Sequence, residues 1–167
     1  MLFRSTVGLG ALPDNTSGNH NSSFGYTALR YNTTAIDNTA IGYAAQQQTS
    51  TGANNTSVGS QALVTNTTGG NNVALGASAL YSNTTASNNT AVGYQSLYAN
   101  TTGALNNAFG SGTLDANTTG GSNSAFGHNA MTANTTGGES VAFGAYSNRK
   151  STRLNSSHLG ISYAVFC

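Results

Sequence analysis

The chain has 167 residues, only 5% of them charged, and a formal net charge of +1 at pH 7. Arg4 and Arg30 are the only basic residues before position 149, too few and too scattered to neutralise a nucleic-acid backbone. No apolar run approaches the length of a membrane span, and the single cysteine, Cys167, permits no internal disulfide. The composition argues against nucleic-acid binding, membrane contact in this segment and a disulfide framework.

A 17-residue repeat runs through the chain without insertion or deletion. Its fixed point is a glycine that follows a large apolar residue. The glycines are Gly8, Gly25, Gly42, Gly59, Gly76, Gly93, Gly110, Gly127 and Gly144. The apolar residues before them are Val7, Phe24, Ile41, Val58, Leu75, Val92, Phe109, Phe126 and Phe143. A fixed short period of this kind predicts a solenoid or a stacked array in which one supersecondary unit recurs.

Each repeat has the same order along the chain. Asparagine usually stands four residues before the glycine and alanine two before it, as at Asn89 and Ala91. Leucine usually stands four residues after the glycine, with Gln46 as the exception, and a turn such as residues 66–71 (NTTGGN) follows. Apolar residues bracketed by Asn, Gly, Ser and Thr are typical of short strands between turns.

We therefore predict an all-β fold, a parallel β-solenoid of about nine 17-residue rungs. Rungs stacked about 4.8 Å apart would place each apolar residue over the next and form a rod on the order of 40 Å long. The apolar residue before the glycine and the leucine five places later have opposite parity on a strand, so the chain must bend between them. Glycine allows the bend through a positive φ or by leaving room for a neighbouring backbone. Stacked asparagines can also bond from rung to rung.

The repeat predicts association of identical chains. Each rung supplies only about two large apolar side chains and two small ones, a thin core for 17 ordered residues. We expect three chains to associate and to bury the alanine columns along a common axis, because small residues permit close approach.

The sequence predicts no catalytic, cofactor or metal site. His20 and His128 stand in different columns of the repeat, and no acidic residue recurs beside either one. The repeated aspartate of calcium-binding solenoids is missing. The carboxylates stand singly, with no pair at a fixed spacing for acid–base chemistry: Asp14, Asp37, Asp115 and Glu139. We therefore expect that this chain is not an enzyme.

Three binding hypotheses remain. Tyrosines after the glycine, such as Tyr26, would stack on sugars if exposed, but packing in corners is the simpler expectation. Sequons such as those at Asn32 and Asn66 indicate ladder and turn residues in a bacterial or phage protein, and glycosylation only in a eukaryotic secreted one. Adjacent threonines such as Thr101 and Thr102 would point to opposite faces of a strand, which disfavours ice binding.

Residues 149–167 break the repeat. They contain RKSTRLNSSH, Leu159-Gly160 and ISYAVFC, and they resemble the translation of a sequencing adapter. We interpret them as a non-native, unstructured tail and residues 1–148 as the repeat fragment. Without the tail, two arginines stand against four carboxylates, which gives a net charge of −2, and Cys167 has no functional meaning.

The repeat core resembles the head repeats of trimeric autotransporter adhesins, whose signature is a Ser-Val-Ala-Ile-Gly type core. The nearest matches are residues 72–76 (NVALG) and 140–144 (SVAFG). Residues 89–103 (NTAVGYQSLYANTTG) are similar to 17-residue repeats of phage-type tail fibre proteins. The resemblance covers residue 5 to about residue 147. It implies a left-handed parallel β-roll that trimerises into a fibre, with the residues beyond the shorter adhesin period placed in the Asn-Thr-Thr turn.

The resemblance also implies an extracellular location, on a virion fibre or a bacterial cell surface. The first functional hypothesis is a structural segment, a fibre shaft or stalk that supports attachment to a host. The alternative is an adhesin head that itself binds host matrix protein or glycans. Both hypotheses predict a homotrimer without cofactors.

Overall fold

The computed structural model describes residues 4–148, which form nine short strands and no helix. The strands are β1 (Arg4–Val7), β2 (Asn21–Phe24), β3 (Thr39–Ile41), β4 (Thr56–Val58), β5 (Val73–Leu75), β6 (Thr90–Val92), β7 (Asn107–Phe109), β8 (Ser124–Phe126) and β9 (Val141–Phe143). They form one parallel sheet in sequence order, each strand pairing with the next at an offset of 17 residues. The predicted all-β parallel solenoid is confirmed.

The predicted tail and the first three residues of the predicted repeat fragment fall outside this range. The adapter-like tail at residues 149–167 lies outside the described residues, as do residues 1–3. Between residues 4 and 148 the chain has no helical segment of the length and apolarity that crossing a bilayer would need.

The interior of the coil is filled by two stacked columns of apolar side chains. The middle residue of each three-residue strand points inward, so that Ala91 lies fully buried between Ala74 and Ala108. After the glycine bend the chain brings the leucine column to the same interior, where Leu97 and Leu114 are fully buried. Close-packed small and large side chains thus form a narrow continuous core.

The predicted role of the alanine columns is wrong. Ala40, Ala74, Ala91, Ala108 and Ala125 are already fully buried inside a single chain. They point inward because the alternation of a strand places its middle residue on the face opposite to its two neighbours. No alanine column remains on the surface for a second chain to cover.

The apolar residues before the glycines stack directly above one another, as predicted, but they face outward and add little to the core. In the terminal strands Val7 and Phe143 are 61% and 69% exposed. Between them the column is 36–40% exposed at Phe24, Ile41, Val58, Leu75 and Phe109, and it is half-buried at Val92 and Phe126. These residues are one position away from the buried alanine or serine, so strand alternation turns them to the outside. The glycine bend therefore separates an inner leucine column from an outer apolar column.

Both predicted reasons for the glycine are confirmed. Gly93 has φ +131°, a conformation that side chains disfavour. A Cβ built on Gly93 would lie 2.5 Å from the carbonyl oxygen of Gly110 in the next rung. The repeated glycine thus provides the backbone torsion and the close approach at the same point.

The turn after the glycine keeps its hydrogen bonds along the solenoid axis through residues in the left-handed region. Gln95 and Leu97 both have φ +53°. The amide of Gln95 donates to Ala77 O in the preceding rung (3.0 Å), and the amide of Leu97 donates to Thr113 O in the following rung (2.9 Å). Left-handed residues two positions apart therefore aim the peptide groups up and down the axis, and rung-to-rung bonding continues through the turn.

Candidate functional site

Two internal columns of asparagine connect the rungs. Asn72, Asn89, Asn106 and Asn123 stand four residues before their glycines and are fully buried. Each side-chain Oδ1 accepts the backbone N–H of the next residue of the column, as from Asn106 N to Asn89 Oδ1 at 3.0 Å. Most of the Nδ2 groups donate to a turn carbonyl, as from Asn106 to Gly120 O at 2.9 Å.

The second asparagine column lies in the turn. Asn83 Nδ2 donates to Asn66 Oδ1 at 2.9 Å, and Asn100 Nδ2 donates to Asn83 Oδ1 at 3.0 Å. Each Nδ2 also closes the local turn, as from Asn100 to Gly103 O at 2.9 Å. The expected ladder of stacked asparagines is present in both columns.

This ladder removes the turn sequons from consideration as glycosylation sites in the folded chain. Asn32 and Asn66 are fully buried. Their Nδ2 atoms, which would carry a glycan, donate to Ala35 O and Gly69 O at 3.4 and 2.8 Å. A transferase could reach these atoms only after the rung had opened, so the sequons are structural.

The structure places one acidic residue beside a predicted lone histidine. His20 Nδ1 lies 3.2 Å from Asp37 Oδ1, because residues 17 apart occupy the same column. Sequence reasoning missed this pair, although the repeat offset contains it. Both side chains are largely exposed, 61% and 43%, and such surface pairs contribute about 0–1 kcal/mol. The geometry indicates a surface contact between adjacent rungs.

No candidate metal centre arises between residues 4 and 148, where no three His, Cys, Asp or Glu side chains group together. His128 lies apart from His20 and contacts Tyr146 edge-on at 5.3 Å between ring centroids. A shallow depression is lined by Arg4, Ser5, His20 and Ser22 at the edge formed by β1. These residues provide a few polar groups at one end of the rod and no enclosed cavity.

The fold changes the proton affinity of the half-buried carboxyl of Asp115. Burial raises the pKa of this carboxyl above its usual value of 3.8, and hydrogen bonds from the backbone of Ala116 and Asp115 oppose the rise. Its Oδ1 atom is buried without a hydrogen-bond partner. The folded chain therefore binds a proton at Asp115 more tightly than the unfolded chain does. The stability that this difference contributes is present at low pH and is lost as pH rises through the pKa of the folded state.

Asp115→Asn should stabilise the chain at pH 7, because a neutral amide does not carry the desolvation cost of the carboxylate. The gain should shrink as pH falls toward and below 3.8, since wild-type Asp115 then becomes increasingly protonated in the unfolded as well as the folded state. Urea unfolding at pH 7 and pH 3.5 measures the difference. Asp14→Asn, at an exposed position, is the control and should change little. A gain of equal size at both pH values would contradict the prediction.

The outer face of the sheet carries a column of exposed and half-buried apolar side chains. We call the residues before the glycines the outer apolar column: Val7, Phe24, Ile41, Val58, Leu75, Val92, Phe109, Phe126 and Phe143. The rings of Phe109 and Phe126 stack at 4.9 Å and 3°, and those of Phe126 and Phe143 at 4.9 Å and 6°. Stacked rings cover one another's faces, so this column presents ring edges and methyl groups to a partner.

The tyrosines directly after the glycines do not pack in corners, contrary to the simpler expectation. Tyr26, Tyr43 and Tyr94, each directly after a glycine, are 50–57% exposed. Tyr26 and Tyr43 stack at 5.7 Å and 5°, and the half-buried Tyr81 and Tyr98 stack at 5.0 Å and 18°. The exposed rings of Tyr26, Tyr43 and Tyr94 therefore form part of the molecular surface.

The structure thus offers one extended surface and no enclosed site within residues 4–148. No protein-family model matches this chain, and neither the curated proteins nor the solved structures include a match to it. The features that bear on function are the outer apolar column and the repeat geometry. These two features constrain what kind of partner can bind.

Proposed function

We propose that this chain is a structural repeat segment of a surface-exposed fibre, a shaft or stalk that supports attachment to a host. The observation that carries the proposal is the outer apolar column, which lies exposed on a coil whose interior is already filled. A contiguous column of exposed apolar side chains, with one member in each of the nine strands, is typical of a protein interface. An extracellular fibre on a virion or a bacterial cell fits a rod of uniform rungs.

The partner that best fits this column is a second copy of the same chain. Its rungs repeat about every 4.8 Å, so the apolar side chains of two copies can interdigitate along the whole length, on the order of 40 Å. A globular partner lacks this period and would contact only a few rungs. Three copies with their outer columns at a common axis would hide the apolar surface and leave the polar turns in water. In this proposal the outer apolar column lies at the axis of the homotrimer, where the sequence had predicted the alanine columns.

Substitution of the outer column tests the proposal. Val58→Thr, Leu75→Thr and Val92→Thr together place β-branched residues, which favour strands, at all three positions while they remove apolar contact area. We expect the wild-type chain to sediment as a trimer and the triple variant as a folded monomer with an unchanged circular dichroism spectrum.

A matched control changes exposed apolar residues away from the outer column. Ile36→Thr and Leu105→Asn fit this role, since both residues are exposed and asparagine tolerates the φ of +62° at Leu105. This variant should remain trimeric. A wild-type chain that is a stable folded monomer at micromolar concentration would refute the proposal.

A second candidate function rests on the exposed tyrosines. Tyr26, Tyr43 and Tyr94 provide aromatic edges and hydroxyl groups of the kind that bind glycans or matrix proteins. In this alternative the segment is an adhesin head that itself binds the host. Glycan-array and matrix-protein binding of the purified trimer distinguishes the two, because a purely mechanical shaft should bind neither.

A further inference from the structure

At one rung of the solenoid, polar side chains occupy core positions that are apolar in most other rungs. Gln46 occupies the leucine column and is fully buried. Its Nε2 donates to Ser57 Oγ at 3.0 Å and to Thr39 O at 3.0 Å, and its Oε1 has no hydrogen-bond partner. Ser57 itself stands where most rungs have alanine. Buried polar groups left without partners cost stability.

The turn asparagine ladder is broken in the same rung. Thr49 occupies the column that holds Asn32 before it and Asn66 after it. Thr49 Oγ1 and Asn32 Oδ1 are buried without hydrogen-bond partners. In the intact part of the column the corresponding bond, from Asn83 Nδ2 to Asn66 Oδ1, measures 2.9 Å. Threonine is too short to reach across the rung and restore it.

The buried apolar side chains form two separate clusters on either side of this level. One cluster contains Leu12, Ala28, Leu29, Ala40 and Ala45. The other begins at Ala62 and Leu63 and continues to Ala142. Between them the backbone pairing of β3 with β4 is intact. The two parts are therefore joined by main-chain hydrogen bonds, by the bond from Asn55 N to Asn38 Oδ1 (2.9 Å) and by the Gln46 contact, without continuous apolar packing inside the coil. Outside the coil, Ile41 still lies over Val58.

We propose that the rung containing Gln46 and Thr49 is a built-in joint, at which the segment 4–45 opens and unfolds as a unit distinct from the segment 62–148. In a stacked array each rung contacts only its neighbours, so a weak interface between two rungs divides the array into cooperative units. The joint would allow one part of a long rod to bend or open under load while the other remains folded. This inference does not depend on trimer formation or on any ligand.

Hydrogen exchange of the full chain at increasing urea, below the main unfolding transition, tests the joint. Amides of residues 4–45 should share one protection level, roughly tenfold or more below that of residues 62–148. The change should occur as a step near residue 46. Fraying from the chain end would instead give a gradient that rises smoothly from residue 4, and that result would overturn the proposal.

A repaired variant provides the second arm. Gln46→Leu, Thr49→Asn and Ser57→Ala together install the residues that other rungs carry, and should merge the two protection levels into one. The control variant, Gln48→Leu with Thr51→Asn, makes similar changes at exposed positions nearby and should keep the step. A step that persists unchanged in the repaired variant would also refute the joint. If the repaired chain fails to fold, the exchange profile of the wild-type chain still decides the question.

Discussion

Gly93→Ala should destabilise the chain by about 3 kcal/mol. The φ of +131° at Gly93 costs a residue with a Cβ about 1–3 kcal/mol in strain. The added carbon would also lie 2.5 Å from Gly110 O, 2.6 Å from Gly110 C and 2.9 Å from Ser111 N. These are backbone atoms whose displacement would break the bond from Gly110 N to Val92 O, and overpacking of this kind typically costs 1–3 kcal/mol. The lower entropy of the unfolded alanine chain offsets only about 0.4–1 kcal/mol.

Gly144→Ala separates the two causes. Gly144 has φ +109°, but a Cβ there would meet no atom within 4 Å. This variant should therefore lose only the strain contribution, about 1–3 kcal/mol. Urea unfolding of both variants, with hydrogen exchange to detect opening of single rungs, measures the difference. Equal losses of unfolding free energy in the two variants would show that the close approach of the next rung does not contribute to the requirement for glycine at Gly93.

The sequence predicts the solenoid well because its period is exposed to direct inspection. Glycine every 17 residues fixes the rung, and the turn at residues 66–71 fixes where the chain reverses direction. The strand Thr90–Val92 and its equivalents in the other rungs are predicted from the large apolar residue before each glycine and the small residues that precede it. Identical environments in each rung also make the register unambiguous, since a shift would misalign every column at once.

The sequence does not predict which apolar column faces inward. Leu97 and Val92 are five residues apart with a bend between them, and their hydrophobicity alone does not distinguish an interior from an exterior place. The deciding feature is the left-handed backbone at Gln95 and Leu97, with φ +53° at each. Nothing in a glutamine or a leucine indicates this conformation, because both normally avoid it. The predicted burial of alanine between chains failed for this reason.

The candidate surface was equally hard to predict. The prediction that Tyr26 and Tyr43 pack in corners is wrong, since both are half or more exposed. Their exposure follows from the complete filling of the narrow core by the alanine and leucine columns. The pair of His20 and Asp37 could have been found, because their separation equals one repeat.

Asn106→Ala should destabilise the chain by about 3 kcal/mol, although asparagine is a polar residue in a thin core. Asn106 Oδ1 accepts hydrogen bonds from Asn123 N and from Asn123 Nδ2, both at 3.0 Å. Alanine would leave the buried N–H of Asn123 without a partner, at a cost of about 1–3 kcal/mol. The vacated side-chain volume adds a further loss, since the surrounding rungs are held by main-chain bonds and relax little. Gly120 O keeps the bond from Asn117 Nδ2 at 2.9 Å, which limits the damage on that side.

The neighbouring residue is a matched control of the same chemistry. Asn107→Ala removes the exposed asparagine at the next position, the first residue of β7, and such surface changes usually stay within about 0.5 kcal/mol. Urea unfolding of the two variants compares them, and exchange of the Asn123 amide reports the broken bond directly. If Asn106→Ala and Asn107→Ala unfolded at the same urea concentration, the asparagine column would be a by-product of stacking. A large difference would show that buried side-chain amides, together with the apolar columns, hold successive rungs at their spacing.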